Sequence, residues 1–281
     1  MQGTIPRQHI IESSTLKRKQ ALRSRQPIWK YLRRLMPLLT FGVILGLWQL
    51  VTVFELYPTF IIPPPATVAE SFMEVAQDGR LWLHTQITLE EVLKGLFFGV
   101  MTGTILGYAI AKNRMLEEVL SPIIVAFQSA PTVAYAPLLI IWFGTGVESK
   151  IVTSAIIVFF PTMMNTIVGI RNVPQNLRDV MRSLRASPLK MFWYLELPAA
   201  LPVLLTGLKT AATLAVIGAV VGEFVGARQG LGVLVTLARN QYDTPLVYVA
   251  VLTMTAMALT LYLSVSLMEW LLLSWQRKGR R

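Results

Sequence analysis

The chain has 281 residues, 54% of them hydrophobic and only 15% charged, with a formal net charge of +11. That balance excludes an ordinary soluble domain and points to a chain immersed in lipid. It contains no cysteine, which removes disulfides, thiolate catalysis and Cys-based metal sites from consideration.

Residues 1–34 carry nine Lys or Arg and one acid, Glu12, and read as a basic tail. Leu35 to Phe54 is a twenty-residue apolar run. At about 1.5 Å per residue it crosses a hydrocarbon core of roughly 30 Å. It is too long for a signal-peptide core, and no small-residue cleavage pattern follows it. Pro58 and Pro63-Pro64-Pro65 then stop any helix, and Ala66 to Ala76 makes a short amphipathic piece with Val68, Phe72 and Val75 on one face. Gly95 to Ala111 is the second expected span, its helix starting near Leu89. Gly95, Gly99, Gly103 and Gly107 recur every four residues, a small-residue ridge that predicts close approach of another helix.

Lys112 to Glu118 is a polar turn. Val119 to Val147 then runs without a charge but holds Pro122, Pro131 and Pro137. Such a segment kinks, or divides into a span and a re-entrant piece. Ile151 to Ile170 is the fourth span. Pro198 to Gly222 is the fifth, interrupted by Lys209. Phe224 to Asp243 is mixed, with Gly226, Gly230 and Gly232 breaking it. Thr244 to Met268 is the sixth, its helix reaching toward Trp275, and residues 276–281 form a second basic tail. The expected fold is therefore an all-α integral membrane protein of about six transmembrane helices spanning residues 35–275.

Six spans place both tails, the Lys112 turn and the loop at 171–197 on one side. Those segments hold 20 of the 26 Lys and Arg; the opposite loops hold Arg80, Lys150, Arg228 and Arg239. The positive-inside rule makes the basic side cytoplasmic, so both termini are expected in the cytoplasm. The same asymmetry accounts for the net charge. Nucleic-acid binding would need a basic patch interleaved with stacking aromatics, and the Lys17-Arg18-Lys19 run suits anionic lipid instead.

The loop at 171–197 has the clearest helical pattern outside the spans. Leu177, Val180, Met181 and Leu184 sit at i, i+3, i+4 and i+7 and share one face of a helix over 176–185. Arg178, Asp179, Arg182 and Arg185 hold the other face. Ser187-Pro188 starts a fresh helix, Ser as cap and Pro at the first position. By pattern alone, this amphipathic piece fits a helix lying on lipid headgroups as well as one buried against a partner protein.

Catalytic signatures are absent. There is no phosphate-binding GxxxxGK[ST] loop, no HExxH and no GxSxG, and no span contains Asp. Neither a cofactor nor a metal site is expected, and the chain does not read as an enzyme. A secondary carrier or channel is the rival class, because such proteins place ionisable groups inside the bilayer. Lys209 and Glu223 are then candidates for a translocation path. The structural alternative has Lys209 snorkelling or paired with a neighbouring helix and Glu223 at the interface.

Several motifs resemble one family. Asp179-Val180-Met181, Arg185-Ala186-Ser187 and Leu197-Pro198 are similar to the EAA loop of permease subunits of bacterial ABC importers. In that family the pattern runs Glu-Ala-Ala, three residues, Gly-Ala-Ser, then Leu-Pro. Here Asp179 stands for Glu and Arg185 for Gly. Phe60-Ile61-Ile62-Pro63-Pro64-Pro65, Ser129-Ala130-Pro131, Ala136-Pro137-Leu138, Trp142-Phe143-Gly144 and Gly230-Leu231-Gly232 resemble the nitrate/sulfonate/taurine group. The segment from Gly218 to Gly226 looks closest to relatives importing riboflavin or the thiamin pyrimidine precursor.

The resemblance implies a type I ABC importer permease fold. It also implies a permease homodimer, separate ATPase subunits docking on the loop, and an extracytoplasmic solute-binding protein. Leu177, Val180, Met181 and Leu184 would be buried on the ATPase, with Asp179, Arg185, Ala186 and Ser187 setting the loop's geometry. ATP hydrolysis would reside on the partner chain.

Overall fold

The computed structural model describes residues 26–274, with side chains from residue 35 onward except those of Gln128 and Thr132. Residues 1–25 of the expected basic tail, and the tail at 276–281, lie outside the described residues. Among the described residues all regular structure is helical, and the chain divides into a unit ending at Ala66 and a unit starting at Thr67.

The first unit contains α1 (Gln26–Val53). It starts well before the expected span, whose apolar stretch it includes from Leu35 to Val53. The Pro-rich segment behind it is pinned within the unit, where the Trp48 indole N–H donates to the Pro63 carbonyl at 3.0 Å. Helix α2 (Pro65–Gln77) opens with proline at its first position, which costs no hydrogen bond there. Val68 and Val75 are buried and Phe72 is exposed.

The second unit is built around three helices, α3 (Arg80–Lys112), α6 (Val147–Arg171) and α9 (Leu197–Gly226). α3 begins nine residues before the expected Leu89. The glycine ridge packs directly against α6. A Cβ built on Gly99 would lie 2.6 Å from the Ala155 carbonyl oxygen, on Gly103 2.7 Å from that of Phe159, and on Gly107 2.6 Å from that of Met163. The two backbones are closer than any side chain permits. α9 also packs closely on α6, with Ala211, Ala215, Gly218 and Gly222 all buried. A Cβ on Gly218 would meet the Ser154 Cα at 2.5 Å, and the Ser154 hydroxyl donates to the Ala215 carbonyl at 2.9 Å. Lipid supplies no hydrophobic drive between helices, so such contact between small residues carries the association.

The third expected span is not one helix. It divides into α4 (Arg114–Ser129), a 3₁₀ turn (Thr132–Tyr135) and α5 (Ala136–Phe143). The break falls at Ala130-Pro131, where Ala130 is extended, the conformation favoured before proline. Pro122, inside α4, bends nothing out of the helix. The two Lys112–Glu118 ends of the expected polar turn shrink to a single hinge at Asn113, whose side chain accepts from the Met115 and Leu116 amides. Among the described residues five helices are thus long and apolar enough to cross a membrane; the broken segment contributes only a shorter apolar helix, Val133–Phe143. Pro161 and Pro202 lie inside α6 and α9, where each leaves the carbonyl four residues back without its helical donor. The Asn165 amide donates to Pro161 O and the Thr206 hydroxyl to Pro202 O.

Between α6 and α9 lie α7 (Gln175–Ser183) and α8 (Pro188–Met191), the latter running through a π-helical turn (Phe192–Glu196) into α9. α10 (Leu231–Asn240) and α11 (Thr244–Leu272) complete the unit.

Candidate functional site

The loop between α6 and α9 folds as its pattern predicts, with one shift. α7 ends at Ser183, so Leu184 is the first residue beyond it. Arg185 then takes a left-handed conformation at φ 52°. Its amide donates to Arg182 O at 2.8 Å, and the Ala186 amide donates to Met181 O at 3.0 Å. That bond pair is a Schellman closure, which satisfies two orphan carbonyls of the helix end. Glycine usually fills the left-handed position, and arginine holds it at a steric cost. Ser187 caps α8, its hydroxyl accepting from the Lys190 amide at 3.4 Å.

No residue of α7 is buried. Leu177 and Val180 are exposed, Leu184 is 72% exposed, and Met181 is half-buried. Asp179 accepts from Gln175 at 2.9 Å and Arg182 at 3.3 Å, both on its own helix.

Arg178, grouped by sequence with the solvated face, turns inward. Its Nη2 donates to the Ile170 carbonyl at 2.5 Å, and its Nη1 lies 3.3 Å from Glu196 Oε1. Glu196 is fully buried. It also accepts from Lys112 Nζ at 2.7 Å and from the Tyr108 hydroxyl at 3.0 Å. One carboxylate therefore joins α3, α7 and the foot of α9. Sequence reading passed over it; a lone acid in an otherwise apolar entry to a span, just before Leu197-Pro198, was the available signal. Beside it, Arg171 donates to both oxygens of Glu117 at 2.6 and 2.5 Å. Those bonds hold the Glu117 carboxyl below the ordinary carboxylate range.

At the opposite end of the same helices sits a second polar cluster. Three consecutive amides at the start of α10 are met by side chains of other elements. Gly230 N–H donates to His84 Nδ1 at 2.9 Å, Leu231 N–H to Thr88 Oγ1 at 2.8 Å, and Gly232 N–H to Glu223 Oε2 at 2.5 Å. The Thr88 hydroxyl donates in turn to Glu223 Oε1 at 2.5 Å. A helix N-terminus favours an anion, and here the anion is built in. Gly230 stands at φ 127°, and a Cβ on it or on Gly232 would collide with the Glu223 carboxyl. This is the physical reason for the Gly-Leu-Gly sequence.

Glu91 lies against Glu223, and its Oε2 has no hydrogen-bond partner. Lys150, assigned by sequence to an outer loop, is 1% exposed on α6. Its ammonium donates to the carbonyls of Thr145, Gly146 and Gly226 at 2.6, 2.9 and 3.3 Å. The positive charge thus sits at the C-terminus of α9, where the helix dipole favours it.

The two sequence candidates for a path are not brought together. Glu223 is 2% exposed within this polar cluster. Lys209 sits about 21 Å away along α9, at about 1.5 Å per residue. It is ion-paired with Glu269 of α11 and lies 5.9 Å from the centre of the Tyr262 ring. A cavity of about 460 Å³ opens instead among α3, α4, α5 and α6. Its walls include Phe127, Tyr135, Trp142, Phe159 and Phe160, and among the described residues no charged side chain lines it.

Comparison with known proteins places this architecture. Residues 96–277 match the family described as "Binding-protein-dependent transport system inner membrane component". The "Riboflavin transport system permease protein RibX" of Chloroflexus aurantiacus is 43% identical over 237 residues, covering 84% of this chain and 88% of that protein. The "Taurine transport system permease protein TauC" of Escherichia coli is 31% identical over 241 residues, with 84% and 88% covered. Among solved structures, the inward-facing MetNI methionine ABC transporter superimposes with a TM-score of 0.61 at 20% identity, covering 67% of this chain and 94% of that one. That last likeness is one of fold.

Proposed function

The chain belongs to the inner-membrane components of binding-protein-dependent transport systems, and from that premise we propose how it works and what it carries. It is a membrane-embedded permease subunit of an ABC transporter. In our reading two copies line the path, a separate ATPase pair docks on α7, and an extracytoplasmic binding protein delivers the solute. Both termini and α7 face the cytoplasm, in line with the Lys and Arg asymmetry.

The observation that carries the docking reading is an apolar face with nothing on it. Leu177, Val180 and Leu184 are exposed on a short helix outside every span. Arg178 fixes that helix to the bundle, so the uncovered face has a defined direction. Burying a Leu contributes on the order of 2 kcal/mol, and an unpaired carboxylate in its place opposes contact further. Leu184→Asp should therefore weaken ATPase association at least about tenfold, one decade per 1.4 kcal/mol, while membrane insertion is kept. Co-purification of the ATPase together with uptake measures this. Retention of both the complex and full uptake would refute the docking helix. A helix merely lying on lipid predicts that ATPase association stays intact while the loop loosens from the bilayer.

For the solute we propose riboflavin or a pyrimidine vitamin precursor over a sulfonate, taurine or nitrate. The aromatic walls of the cavity suit a flat heteroaromatic ring, and its volume lies in the range of ligand sites. An anion would want a cation there, and among the described residues none lines it. Uptake by the reconstituted complex, with riboflavin and taurine each offered through the cognate binding protein, decides between them. A stand-alone carrier would instead move solute in vesicles holding this chain alone under an imposed pH gradient.

A further inference from the structure

We propose that Glu196 is the positioning residue through which displacement of α7 reaches the spans. The proposal rests on α7 being the ATPase-docking helix.

The argument begins with what α7 lacks. A helix buried along one side moves its neighbours by packing, but α7 buries no residue, and neither does α8 behind it. Packing, confined on α7 to the half-buried Met181, is therefore a weak route for a push from α7 into the bundle. Besides the chain at its two ends, α7 is held by Arg178. That guanidinium bonds the last turn of α6 through Ile170 O and the Glu196 carboxylate through its other nitrogen.

Glu196 is placed to distribute such a push. It has no solvent exposure itself, so water screens its bonds only from the side of Lys112 and Arg178. It ends the π-helical turn from which α9 rises. Its oxygens hold Lys112, the last residue of α3, and Tyr108, one turn before it. Tyr108 in turn packs edge-on against Phe192 of the same π-helical turn, ring centres 5.2 Å apart. A shift of Arg178 thus acts on α3, α6 and α9 together, and these are the three helices whose small-residue ridges lock against one another. A π-helical turn at that point is a local widening of the kind often found where helices serve function.

The test uses the full complex of permease, ATPase and binding protein in vesicles, reading ATP hydrolysis and uptake on the same sample. Glu196→Gln should leave ATPase co-purification at the wild-type level while solute moved per ATP falls about fivefold or more, the lower end of coupling between sites. Arg178→Gln reaches the link from its exposed side and leaves the Glu196–Lys112 pair standing. It should uncouple to the same degree and decides the matter if Glu196→Gln does not fold. The exchanged pair Arg178→Glu with Glu196→Arg should recover part of the lost coupling. Wild-type uptake per ATP in Arg178→Gln overturns the proposal. So does a parallel loss of hydrolysis and uptake at constant ratio, which a merely structural role predicts. Absence of ATPase co-purification with the wild-type chain would instead sink the docking reading of α7.

Discussion

Replacing Gly99 by Ala should destabilise the bundle even though Ala is the better helix former. The new Cβ would lie 2.6 Å from the Ala155 carbonyl oxygen and 2.8 Å from the Cβ and Cγ1 of Val158, where ordinary contact starts at 3.4 Å. The carbonyl is backbone and cannot swing aside, so α3 must withdraw from α6 by about 0.8 Å. A gap of that size forfeits a quarter to a half of each dispersion contact along the ridge. Overpacking of this kind costs about 1–3 kcal/mol. Up to about 1 kcal/mol is returned by helix propensity. The control is Gly46→Ala in α1, where nothing lies within 4 Å of the new Cβ; only the propensity gain acts there.

Because one withdrawal of α3 relieves every clash on the ridge, Gly99→Ala with Gly103→Ala should cost less than the sum of the two singles. Denaturant titration of the purified protein in mixed micelles, followed by tryptophan fluorescence, reads all four variants. If Gly99→Ala proves as stable as Gly46→Ala, the close-approach argument fails.

Arg185→Gly removes a left-handed non-glycine residue and should steady the end of α7 by about 1 kcal/mol; hydrogen exchange of the loop amides should slow roughly fivefold, and unchanged exchange would contradict the Schellman geometry. Glu223→Ala strips the Gly232 amide and the Thr88 hydroxyl of their acceptor in a buried site, at a cost of about 1–3 kcal/mol for each group left unpaired. Exchange at the start of α10 should rise more than tenfold, whereas protection equal to wild type would show that the polar cluster is not holding. Lys209→Met leaves Glu269 without its cation, and adding Glu269→Gln should restore stability, with a coupling of about 0.5–3 kcal/mol in the double-mutant cycle. If the double variant is stable yet loses uptake, Lys209 belongs to the path; if both return, the pair only joins α9 to α11.

What the sequence determined by itself is the part governed by local periodicity and composition. Apolar length specified the spans, because each residue adds a fixed rise against a core of fixed thickness. The four-residue glycine spacing specified a close helix contact, because that spacing keeps small residues on one stripe. The 177, 180, 181, 184 stripe and the Ser187-Pro188 cap were legible for the same reason. Tertiary structure decided everything that depends on who faces whom. Pro122, Pro131 and Pro137 looked alike in sequence, yet Pro122 lies inside α4, Pro131 follows an extended Ala130 at the break, and Pro137 sits in the first turn of α5; the bias against helix before proline is present at all three and does not by itself fix the break. Lys150 read as a loop charge and is buried, since the carbonyls that satisfy it come partly from Gly226, far along the chain. Arg178 sat among solvated arginines and Glu196 among apolar residues. Neither spacing nor hydropathy reports that α3, α7 and α9 converge, so the carboxylate that joins them becomes visible only when those helices are brought to one end of the bundle.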